Sequence, residues 1–302
     1  MSRLSEKVFR EMHKFMEENE FENEEQAGAA MQEFIAQYNE NLQNNIEREP
    51  ETAWDYLDLA FDAYSEKEAV RYAKKALELD KYCTDAEILI ADIQCGDDFE
   101  KFKKRLEKII TKAEKYLREE GCFDDDCIGA FWGILETRPY MRARYEHLKL
   151  LVSAGKMKKA KEECEDMLRL SNNDNLGVRY ILMGLYAYFE DELSAMRLYK
   201  EYDECSVHML LPLITLYYKK DSYKTAEKYL RLISGEGFDK YFLTFGNDDD
   251  FEEDFDDDMP FIDGYRIGTE EEVAYAIEKC IFLYMSTPGI LDWIAQRVSR
   301  GF

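Results

Sequence analysis

Proline and glycine are scarce in this 302-residue chain, at 5 and 15. Both residues punctuate helices, so their scarcity predicts long helices joined by short turns. Apolar runs are short as well. The longest, "CIFLYM", covers Cys280 to Met285, far below the ~20 residues that cross a bilayer. The opening "MSRLSEKVFREMHKF" has no apolar secretion-signal core. A cytoplasmic protein with no membrane partner is expected.

Positive charge is also in deficit. Forty Lys+Arg stand against 65 Asp+Glu, a net charge of −25. A surface of that sign repels phosphate, so no nucleic-acid partner is expected. The seven cysteines are odd in number and contain no C-x-x-C. That argues against a disulfide framework or a zinc site and for reduced thiols. No P-loop, G-x-G-x-x-G or G-x-S-x-G occurs. Neither catalytic residues nor a cofactor nor a metal site is expected. His147 reads as a packing residue.

A repeat is present. In "AGKMKKAKEECEDMLRLSNND" a glycine turn precedes a helix carrying a small residue, Ala160. Ala195 takes that place 35 residues later and Ala226 another 31 later; upstream, Ala69, Ala73 and Ala76 share the pattern. Larger apolar residues stand seven to twelve positions before each small one: Leu148 and Leu151, Met183 and Tyr186, Ile214 and Tyr217. This spacing resembles the tetratricopeptide repeat, a helix–turn–helix of ~34 residues. Small residues let two helices cross closely, and stacked neighbours complete the core.

Other segments also read as helices. Asn23 with Gln26, and Thr269 with Glu272, have the spacing of capping boxes. Thr287 precedes Pro288 as a cap precedes a first helical residue. No strand is expected. The fold expected is all-α: a tetratricopeptide-like right-handed helical solenoid with flanking N- and C-terminal helices. It divides into an N-terminal helical pair (1–48), repeats (49–235), an acidic loop (236–268) and a C-terminal helical pair (269–302). From Asp248 to Asp258 nine of eleven residues are acidic. That run lacks the central glycine of a calcium loop and reads as a solvated segment.

"FWGILETRPYMRAR" (131–144) and "MLRLSNNDNLGVRYIL" (167–182), with the closing "YRIGTEEEVAYAIEKCIFLYMSTPGILDWIA", resemble bacterial relatives of the suppressor-of-tumorigenicity-seven family. The resemblance covers about residues 50–300 and implies a tetratricopeptide-like fold. Most such proteins have no assigned activity. The acidic run at 248–258 is longer here than the family pattern.

Three arginines fall within seven positions: Arg138, Arg142 and Arg144. Pro139 places a helix start near Thr137 or Arg138. Arg179, beside Tyr180 in "GVRY", stands in the same repeat position as Arg144. Two readings follow. The arginines pair with neighbouring acids, or they line a groove and grip a carboxylate or phosphate bidentately. The function expected is a non-catalytic scaffold that binds another protein or peptide. The alternatives are a peptide-sensing regulator, an acidic nucleic-acid mimic acting through 248–258, and an enzyme with an unrecognised site.

Overall fold

A computed structural model describes residues 3–19, 21, 23–43, 49–244 and 266–301. The acidic run at 248–258 lies outside them. The described residues form helices and turns with no strand; the one extended feature is a pair of isolated bridges from Gly129 and Ala130 to Ser171. Backbone contacts divide the chain into two compact units, Met1–His147 with Leu170–Asn175, and Leu148–Arg169 with Leu176–Phe302.

The first unit holds α1 (Arg3–Glu18), α2 (Glu24–Gln43), α3 (Ala53–Phe61), α4 (Glu66–Leu79), α5 (Thr84–Cys95), α6 (Phe99–Glu119) and the start of α7 (Arg138–Ser153). Helices α3 to α6 pack each against the next, and α3 also meets α5. Alanines allow this closeness: Ala53, Ala60, Ala73, Ala76 and Ala86 are buried around Leu57 and Ile90. Helices α1 and α2 are different. Among the described residues, the buried apolar ones begin at Ala53, and the one buried described side chain of α1 or α2 is Glu6.

The second unit carries one hairpin three times. Its helices are the end of α7 with α8 (Met157–Leu170), α9 (Val178–Tyr188) with α10 (Glu192–Tyr202), and α11 (Val207–Lys219) with α12 (Tyr223–Ile233). The expected positions are filled: Leu148, Met183 and Ile214 are buried, as are Leu151, Tyr186 and Tyr217, and Ala160, Ala195 and Ala226 are each 0% exposed. The turns match too. Gly155, Glu190 and Asp221 are left-handed, with φ of 66°, 59° and 54°. In each case the following amide reaches back five residues: Lys156 N to Leu151 O (2.8 Å), Asp191 N to Tyr186 O (2.9 Å) and Ser222 N to Tyr217 O (2.9 Å). This is the Schellman stop, which satisfies carbonyls that the last helical turn leaves open.

Helices α13 (Glu236–Thr244), α14 (Glu270–Lys279), α15 (Ile281–Met285) and α16 (Ile290–Arg300) complete this unit. Helix α14 packs on α11 and α15 on α9. As a result α11 is buried from Val207 to Tyr217, and α9 at Val178 and from Ile181 to Ala187.

Three expectations need correction. Residues 236–244 are helical where a connection was expected, because Phe238 and Phe242 are buried and Gly237 lies against the backbone of Gly268 and Thr269. Thr269 begins α14 but forms no capping box: its hydroxyl donates to Arg266 O, and Glu272 accepts from Gly268 N instead. Thr287 turns back to Leu283 O, so α16 starts later, after the left-handed Gly289.

Candidate functional site: the arginine clusters

The stretch before α7 is two 3-10 turns, Phe131–Gly133 and Leu135–Thr137. The Thr137 hydroxyl donates to the carbonyls of Phe131 and Ile134 and ties them together. Phe131 meets Phe123 edge-on at 5.0 Å and Tyr140 at 6.3 Å. This aromatic seat starts α7 at Arg138, with Pro139 in its first turn where no amide is needed.

The three arginines of this helix then diverge. Arg138 is buried; its Nε donates to Trp132 O (2.7 Å) and Nη1 stands 3.5 Å from Glu6 Oε1. Arg142 sends Nε and Nη2 to the two carboxylate oxygens of Asp85, at 3.1 and 2.5 Å, and Nη1 to Glu6 Oε1 at 2.8 Å. Burial alone would lower the pKa of this guanidinium, but Asp85 and Glu6 outweigh it and leave it above its ordinary value. Arg144 is also buried, with Nη1 3.4 Å from the Tyr140 hydroxyl and its guanidinium 5.7 Å from that ring. The structure therefore brings Arg138 and Arg142 together on one carboxylate and sets Arg144 against a ring.

Arg179 and Tyr180 belong to the second unit. The left-handed Gly177 opens α9 and places both on its first turn. Arg179 Nε donates to Glu204 Oε2 (3.0 Å), Nη2 donates to the Tyr180 hydroxyl (2.6 Å), and that hydroxyl donates to Glu204 Oε1 (2.8 Å). The guanidinium lies over the rings of Tyr180 and Tyr202, at 4.2 and 5.1 Å. Desolvation would raise the Glu204 pKa; hydrogen bonds from Ser206 and Tyr180 and the charge of Arg179 reverse that and hold it below the usual range. Behind Tyr180 sits His208, 2% exposed, with ring centroids 4.8 Å apart. Burial and then Lys279 lower its pKa to about 4. His147 is half-buried, 3.8 Å from Glu107.

All five candidate residues thus contact other groups of their own chain. The sequence reading did not find the partners. Glu6 and Arg142 are 136 residues apart and Asp85 and Arg142 are 57 apart, distances at which no local pattern links them. Glu204 had a usable signal, an acid just before the Ser206 cap of α11. Among the described residues, no group of three or more His, Cys, Asp or Glu is placed to hold a metal ion. No helix among them is long and apolar enough to cross a membrane. No family model, no curated protein and no solved structure matches this chain.

Proposed function

We propose that this chain is a non-catalytic scaffold that binds another protein or peptide, built as a right-handed tetratricopeptide-like solenoid. The recurrence of one hairpin carries the reading. Leu148–Leu151–Gly155–Ala160, Met183–Tyr186–Glu190–Ala195 and Ile214–Tyr217–Asp221–Ala226 repeat the same burial and the same left-handed stop. Units of this kind bury their cores against neighbours and leave extended faces for partners. The same recurrence supports the resemblance to relatives of the suppressor-of-tumorigenicity-seven family.

The free cysteines, four of them buried, suit a reducing cytoplasm. The charge of −25 weighs against nucleic acid as partner. The first helices α9 and α11 have no open apolar face, since α15 and α14 lie against them. We therefore assign partner binding to α7 and the helices around its start.

Selection from a displayed peptide library against the natural chain tests this reading. Selected peptides should cross-link to α3, α5 or α7. Failure to select any peptide, or cross-links confined to other elements, would overturn it.

A further inference from the structure

Two sets of helices from this chain lie on its other helices, and they are held differently. Helices α14 and α15 bury Val273, Ala276, Ile277, Leu283 and Tyr284. That apolar burial makes them a permanent part of the second unit. Helix α1 buries none of its described apolar side chains: Val8, Met12, Phe15 and Met16 are half-buried, and Phe9 is 38% exposed. Polar contacts tie it to the body of the first unit. Glu6, the buried side chain, gives Oε1 to Arg142 at 2.8 Å and to Arg138 at 3.5 Å. Lys7 and Arg10 stand 3.8 and 3.9 Å from Asp58 Oδ2. The Arg10 guanidinium lies 4.2 Å from the centre of the Trp54 ring.

The face under α1 is therefore complementary in both signs. Its cations come from α7 and its anion and aromatic ring from α3. Asp85 on α5 takes Nε and Nη2 of Arg142, which leaves Nη1 directed at Glu6. Glu6 and Arg138 are both buried, so opening the pair without a replacement is costly, while a second helix that supplies the same charges leaves no buried charge unpaired.

We propose that Trp54, Asp58, Asp85, Arg138 and Arg142 form a docking site for an amphipathic helix bearing a carboxylate followed one and four residues later by cations, and that α1 is its resident, exchangeable occupant. The inference rests on the peptide-binding reading above and names the class of peptide. A partner helix with the same charge pattern enters by displacing α1. The arginines are thus both internally paired and a binding site, with the chain supplying the ligand.

The test uses the full chain and a labelled synthetic peptide with the sequence of residues 3–18. In the Glu6→Arg/Arg10→Glu chain both contacts of α1 are repelled, and hydrogen exchange should show its amides released. The natural peptide should bind that chain at least tenfold more tightly than the natural chain, whose site is filled by its own α1 at high local concentration. Adding Arg142→Ala, or replacing the peptide's Glu6 with Gln, should cost at least tenfold. Equal affinity for the two chains overturns the proposal, as does a released α1 with no peptide bound, or an α1 that stays protected.

Should the double variant not fold, the natural chain still decides. Raising NaCl from about 0.05 to about 0.5 M weakens the partly exposed pairs of Lys7 and Arg10 with Asp58, and the buried Glu6 pair less. Exchange should then rise in α1 ahead of α3 to α7, and unchanged protection of α1 overturns the proposal. The library selection uses the natural chain without these changes. Peptides captured there, with no exchange here, would sink this inference and leave the scaffold reading standing.

Discussion

Arg142 on α7 and Asp85 on α5 form a two-armed ion pair, at 3.1 and 2.5 Å, across 57 residues of sequence. Asp85 is 8% exposed, so removing its partner leaves a carboxylate with little water. Arg142→Ala should cost about 3 kcal/mol in urea unfolding, and Arg142→Lys somewhat less, since the amine keeps the charge and loses the fork. The Arg142→Ala/Asp85→Ala pair should recover part of the loss. Strict additivity of the two single changes would show that the pair is not coupled.

Ala160, Ala195 and Ala226 have no exposed surface and sit at the same place in three hairpins. Leucine at any of them should overpack the hairpin by about 1–3 kcal/mol. Thermal melts of the three variants check this, and three unchanged midpoints would refute the shared frame.

Gly184 on α9 faces Cys280. A Cβ built there falls 2.6 Å from Cys280 Sγ and 3.2 Å from Phe282 Cζ. Gly184→Ala should cost about 1–3 kcal/mol by overpacking. Cys280→Ala removes the sulfur and should restore part of that stability in the double variant. If Gly184→Ala melts like the natural chain, α15 does not press on α9 as described.

His208 makes stability depend on pH. It lies among Tyr180, Tyr275, Glu204, Arg179 and Lys279, and burial lowers its pKa from 6.5 to about 4. The unfolded chain therefore binds this proton near pH 6.5 and the folded chain only near 4. Between those values the unfolded state holds more protons, so stability falls as pH drops, by up to about 3 kcal/mol for a shift of this size. Above pH 6.5 the residue contributes no slope. His208→Leu should flatten the decline between pH 6.5 and 4, measured as the difference in melting midpoint. An undiminished decline would assign it to other groups.

The hairpins were legible in the sequence because small residues recur at nearly constant spacing and carry the pattern wherever it appears. The full burial of α9 and α11 was also written there, in "ILMGLYA" and "HMLLPLITLY", which are apolar on every helical face. Reading only the face that meets the paired helix hid this. Helix ends were less legible. Thr269 and Thr287 have cap-like spacing, yet each hydroxyl turns back to a carbonyl three or four residues earlier, a local bond open to any threonine. The arginine stretch announced a concentration of charge but not its partners, since Glu6 and Asp85 are two among 65 acids.

The half-exposed seating of α1 has a calorimetric consequence. Heat-capacity change on opening follows hydrated apolar area, and the denaturant slope follows total area exposed. Val8, Met12, Phe15 and Met16 are half-buried, so releasing α1 hydrates part of that area before the rest unfolds. A chain with α1 already released should therefore unfold with a smaller heat-capacity change and a shallower urea slope than one with α1 docked, and the two differences measure the area α1 covers.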